Sequence, residues 1–105
     1  MKIAITSTGN SPNSNLDQRF GRCIFFVIYD TEAKSTEYIP NPNRDATEGA
    51  GAASVQLVAS KKVQKIISGE FGIKIKELLD SLKIQMIIYN EPDTKISKLI
   101  DMISG

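Results

Sequence analysis

Residues 63–89 read VQKIISGEFGIKIKELLDSLKIQMIIY, and the alternation of patterns within them decides the fold class. Val63 to Ile67 is a short apolar run of strand length. Ser68-Gly69-Glu70-Phe71-Gly72 is a tight, glycine-flanked turn, after which Ile75, Leu78, Leu79 and Leu82 recur at helical spacing. Ile84 to Tyr89 is a second buried-strand pattern, broken by Asn90-Glu91-Pro92-Asp93. Strand, helix and strand joined by short turns favour parallel pairing through a right-handed crossover.

Working outward, the same logic extends to both ends of the chain. Ile96, Leu99, Ile100 and Ile103 fall at i, i+3, i+4 and i+7, so a last helix follows, with Asp93 or Thr94 available as its N-cap. Upstream, Ala50, Ala53, Leu57 and the flanking Val58 mark a helix that packs on a sheet. Ile3 and Ile5 alternate in a first strand that stops at Thr8-Gly9-Asn10. Ile24 to Tyr29 is continuously apolar, which predicts a strand buried on both faces and central in the sheet. After a polar connection from Asp30 to Lys34, Ser35 to Ile39 returns as its antiparallel partner until Pro40 and Pro42 end it. The expected order is β-β-β-α-β-α-β-α: an α/β, three-layer sandwich with a mixed five-stranded sheet and three helices, in a single domain spanning 1–105.

The totals narrow the function. Thirteen basic residues against 12 acidic leave a net charge of +1, so no broad field draws the chain to nucleic acid or to an anionic membrane. The longest apolar runs, Cys23 to Tyr29 and Ile84 to Tyr89, are far shorter than the ~20 residues that span a bilayer. The start is too polar for a secretory signal, and with a lone Cys this points to the reducing cytoplasm. The sequence contains no His, which excludes Ser-His and Cys-His nucleophilic pairs and imidazole ligation. One thiolate does not complete a zinc or iron–sulfur site.

Three segments carry chemistry. In Leu16-Asp17-Gln18-Arg19-Phe20-Gly21-Arg22-Cys23, two guanidinium forks suited to anions flank a Phe-Gly bend and a thiol. Simpler roles stay open there: Arg22 pairing with Asp17, Phe20 filling the core, and Cys23 acting as a small buried hydrophobe. Thr47-Glu48-Gly49-Ala50-Gly51-Ala52 brings small residues to a helix N-terminus, where free N–H groups and the helix dipole attract anions. It lacks the third glycine of a dinucleotide fingerprint, because Ser54 stands there, and it lacks the Gly-Lys-Ser/Thr of a phosphate loop. Gly69 to Gly72 turns at the carboxyl end of its strand, the edge where ligands of open α/β sheets gather. Glu70 in that turn has no titrating neighbour in sequence with which to share acid–base work.

In their order, these segments resemble the dinitrogenase iron–molybdenum cofactor family, which includes NifX, the C-terminal domain of NifB and NafY-like carriers. Met1 to Ile5 resembles the family's opening strand, and Arg19-Phe20-Gly21-Arg22 its Phe-Gly-Arg motif. Asn41-Pro42-Asn43 with Gly49-Ala50-Gly51 resembles its Asn-Pro and glycine-rich stretch, and Gly69 to Gly72 its Gly-x-x-Gly turn. The match runs from residue 1 to about 103. The resemblance implies a ribonuclease-H-like fold and a non-catalytic carrier for an anionic iron–sulfur or iron–molybdenum-type cluster or its precursor, bound transiently. It implies a binding set of Arg19, Phe20, Gly21, Arg22, Cys23, Glu48, Gly49, Gly51, Gly69 and Gly72, with Cys23 as candidate metal ligand. Arg19 and Glu48 stand where members with the clearest cofactor role often place His. The implied partners are cluster-assembly or metalloprotein clients in the cytoplasm, with no nucleic acid or membrane, and the chain a monomer or weak homodimer. The alternative is a regulatory module for a small anion, nucleotide or protein, without a cluster. A ribonuclease-H-like hydrolase is disfavoured, because strand one carries no carboxylates.

Overall fold

The computed structural model describes residues 1–91 and 93–104; Pro92, part of the break after the last strand, lies outside them. In chain order the elements are β1 (Lys2–Ser7), β2 (Phe25–Asp30), β3 (Ser35–Pro40), α1 (Ala50–Ser60), β4 (Lys65–Ser68), α2 (Ile73–Ser81), β5 (Gln85–Ile88) and α3 (Ile96–Ser104). They form one five-stranded sheet in the order β3-β2-β1-β4-β5. β1 pairs antiparallel with β2, and β2 with β3. β4 runs parallel to both β1 and β5. The expected mixed sheet with three helices is therefore the observed one.

Each face of the sheet carries its own core. On one side Ala4, Phe26, Ile28 and Ile66 meet Val55 and Val58 of α1 and Leu79 of α2. On the other, Ile3, Ile5, Val27 and Ile67 meet Ile96 and Leu99 of α3. Because side chains alternate along a strand, β1 and β2 supply both cores, and four of the six residues of β2 are buried. The centre of the sheet is nevertheless β1, not β2. Ala4, Thr6 and Ser7 look mild in sequence, yet all are buried, because strands lie on both flanks of β1 and helices on both faces.

The local differences have physical causes. Pro40 is the last residue of β3 rather than its terminator, since β3 is an edge strand and tolerates a missing N–H. On α1, Ser54 faces inward and Ala53 outward, because the Ser54 hydroxyl donates to the Gly21 carbonyl at 3.2 Å. Thr94 does not spend its hydroxyl on the start of α3; it donates to the Glu91 carbonyl at 2.8 Å. The first amides of α3 are instead met by backbone, Ile96 N donating to Ser14 O at 2.9 Å and Ser97 N to Pro12 O at 3.0 Å.

Candidate functional site

The loop that leaves β1 folds back along the strand before it enters β2. Thr6 Oγ1 donates to the Asp17 carbonyl at 2.7 Å, and Asp17 N donates to Thr6 O at 2.9 Å. This return carries Arg19 to the carboxyl end of β4, where it forms a parallel bridge with Glu70. A Cβ on Gly69 would sit 2.6 Å from Gln18 Cα, so only glycine lets these two backbones close. The next contact is as tight: a Cβ on Gly21 would lie 2.9 Å from Gly51 Cα and 3.0 Å from Gly51 N. The Phe-Gly-Arg bend, the start of α1 and the turn before α2 are thus locked together backbone to backbone.

Their junction forms a cleft of about 280 Å³. Arg19 and Arg22 line it together with Gly21, Glu70, Gly72, Ile75 and the buried Phe20. Phe20 is also core, stacked at tilted angles 5.6 Å from Phe71 and 5.7 Å from Phe26. Both adjoining helices begin without a side-chain cap: Gly49 caps α1 in the left-handed region at φ 73°, and Gly72 caps α2. The uncapped start of α2 and two guanidinium groups favour an anion in this cleft, with Glu70 the one carboxylate among its described lining residues.

The arginines differ in role. Arg19 donates from its backbone N to Asp17 Oδ1 at 3.0 Å, and its Nε lies 3.4 Å from the same oxygen. It is therefore Arg19, not Arg22, that neutralises the buried Asp17. The Arg19 side chain stays 57% exposed and keeps donors for another partner. Arg22 reaches across to the long loop, its Nη1 donating to Ala46 O at 2.6 Å and Arg44 O at 3.2 Å. A neighbouring cleft of about 220 Å³ is lined by Arg19, Arg22, Ile24, Arg44 and Asp45. Arg44, which no motif singled out, is the cation that only the folding of the long loop reveals.

Cys23 lies elsewhere. It is 0% exposed and belongs to the core under α1 and α2. Burial, with the nearby Asp17 charge adding to it, pushes the thiol up to about 12. A sulfur sealed from solvent offers no open face to an arriving group, which counts against the expectation of Cys23 as metal ligand. Glu48 and Gly49 are exposed and line neither arginine cleft. Gly69 lets two backbones approach, Gly51 leaves room for the Ile75 side chain, and Gly72 borders the cleft directly. Among the described residues no three His, Cys, Asp or Glu side chains group to hold a metal ion, and no helix is long and apolar enough to cross a membrane.

Comparison with known proteins gives the chain's family and relatives of the same fold. The chain is 36% identical over 77 residues to the uncharacterized protein MJ0580 of Methanocaldococcus jannaschii, a match that covers 70% of this chain and 62% of that protein's length. It superposes on the apo form of the orange protein from Desulfovibrio gigas with a TM-score of 0.89 and 25% identity, over 97% of this chain and 85% of that one. An NMR structure of a Thermotoga protein, TM1290, named as a candidate NifB protein, aligns with a TM-score of 0.79 and 32% identity, over 98% of this chain and 86% of that one. The model of the family described as dinitrogenase iron-molybdenum cofactor matches residues 1–104, and this chain belongs to that family.

Proposed function

We propose that this chain is a non-catalytic carrier that receives a preformed, negatively charged metal–sulfur cluster, or its precursor, and passes it to a metalloprotein client in the cytoplasm. The observation that carries this reading is the interlocking of three turns around Arg19 and Arg22, which leaves an electropositive cleft at the strand ends. With no His in the sequence and Cys23 buried, the chain offers such a guest neither imidazole nor thiolate. The cargo must bring its own complete ligand shell and be held by charge and hydrogen bonds. A lone Glu70 beside the arginines supports binding over acid–base catalysis.

Anaerobic incubation with a preformed, anionic, thiolate-ligated iron–sulfur cluster tests this by absorption and electron paramagnetic resonance after gel filtration. The expected result is a retained chromophore that Cys23→Ser leaves intact. Arg19→Gln should weaken binding by about tenfold to a hundredfold, the worth of a charged hydrogen bond. A wild-type chain without a chromophore, or one whose signal depends on Cys23, rejects the reading. A second reading, a regulatory module for a small anion or nucleotide, draws on the three arginines of the neighbouring cleft. It requires phosphate or nucleotides to raise the melting temperature in a way that Arg22→Ala abolishes.

A further inference from the structure

Arg22 has a second task besides lining the cleft. From Pro42 to Glu48 the long loop between β3 and α1 runs mostly exposed. Its root is fixed, because Asn41 is buried and its backbone N donates to Ile24 O at 3.0 Å. Past that root the loop's own backbone bonds are local, Arg44 N to Asn41 O and Ala46 N to Asn43 O. Among the described residues, the only hydrogen bonds that tie 42–48 to the molecule beyond Asn41 are the two from Arg22 Nη1, to Ala46 O and Arg44 O. The loop ends at Gly49, in the left-handed region, where nothing lies within 4 Å of the place a Cβ would take. A segment with so few ties opens at a small fraction of the cost of global unfolding.

We propose that this loop is a strap, latched by Arg22, that carries Arg44 to the guest as a third cation and closes when a multiply charged anion fills the site. The nature of the guest rests on the carrier reading; the strap rests on the loop's own geometry. The clefts of about 280 and 220 Å³ share Arg19 and Arg22, so an anion held by this pair borders both. Arg22 spends Nη1 on the two loop carbonyls, while its Nε and Nη2 have no partner among the described residues. One planar group thus holds the loop by one nitrogen and offers its remaining donors to a guest. Arg44 reaches the second cleft from the loop, with its Nε 3.5 Å from Asp45 Oδ2. The Asp45 side chain is 91% exposed, so water screens that pair and a more highly charged partner displaces it. A guest on Arg22 fixes the guanidinium plane and so tightens the strap, and the strap in turn keeps Arg44 at the guest. By linkage the two effects are equal in size. A singly charged anion would leave Arg44 to Asp45, so the device selects multiply charged guests.

Hydrogen exchange of segment 42–49, read by mass spectrometry, tests this with and without a guest. In the free protein Arg22→Gln should speed exchange of the segment by roughly tenfold, the worth of charged hydrogen bonds, and leave β1 unchanged. Arg44→Gln should not speed it, because the latch uses the Arg44 carbonyl and not its side chain. With the preformed anionic iron–sulfur cluster bound, the wild-type segment should slow by about tenfold, and Arg44→Gln should weaken cluster binding by a similar factor. A segment indifferent to Arg22→Gln, or one that speeds up only together with β1, overturns the strap. So does a bound cluster that leaves the segment's exchange unchanged, or cluster binding unaltered in Arg44→Gln. If the wild type retains no cluster, the carrier reading falls by itself and inorganic pyrophosphate takes the guest's place: slowing of the segment then supports the strap, and no slowing overturns it.

Discussion

Asn41 and Cys23 show how much a single buried polar group settles. The Asn41 amide donates to the Gly21 carbonyl at 3.1 Å and the Cys23 carbonyl at 3.0 Å, and Asn41 Oδ1 accepts from Asn43 N at 3.0 Å. One side chain thus ties the long loop to the Phe-Gly-Arg bend and closes over the sulfur. The thiol's raised value has a consequence for stability with a definite sign. Below about pH 9 the sulfur is protonated in both folded and unfolded chains, so its contribution is fully present. Between its ordinary value of 9.0 and about 12 the unfolded chain sheds the proton while the folded one retains it, so stability falls as pH rises. Thermal melts from pH about 8 to about 11 should therefore slope more steeply in the wild type than in Cys23→Ala. Equal slopes, or rapid alkylation of the native protein at neutral pH, would mean that the thiol is accessible.

Among the elements, the starts of α1 and α2 look alike in sequence, each approached through glycine, but their glycines do different work. Gly21, which faces α1, has no room for a methyl group because the Gly51 backbone is 2.9 Å from where it would stand. Gly72, the cap of α2, has an ordinary extended conformation at φ −69°, and a methyl there would find its nearest neighbour, Ile75 Cγ1, at 3.9 Å. Gly21→Ala should accordingly cost about 1–3 kcal/mol, the range for forcing atoms into a packed contact. Gly72→Ala should change stability by less than about 1 kcal/mol in either direction. Urea midpoints measure both, and similar losses at the two positions would contradict the close approach of the bend to α1.

At the scale of the whole molecule, β1 joins the two cores, with Ala4 facing α1 and α2 and Ile3 and Ile5 facing α3. Val55→Ala on one side and Leu99→Ala on the other should shift one common unfolding transition, by ~1–2 and ~2–5 kcal/mol, seen together in far-ultraviolet dichroism and tyrosine fluorescence. Separate transitions for the two probes would show that the faces unfold independently. Period and punctuation determined the element order: the apolar run of Ile24–Tyr29, the helical spacing of Ile75 to Leu82 and the turns at Gly69 and Gly72 are local patterns, and local sterics and burial enforce them. The same patterns marked Arg19, Phe20, Gly21 and Arg22 as a group, because four neighbours share a bend whatever surrounds them. They did not reveal that β1 is the centre of the sheet, that Asp17 belongs to Arg19, that Arg44 joins the arginines, or that Cys23 is sealed. Each of those depends on groups many residues away, such as the Asn41 amide over the Cys23 carbonyl, 18 positions along the chain. Sequence spacing carries the geometry of one helix turn or one strand; which distant loop closes over a given atom is decided by how the sheet brings its ends together.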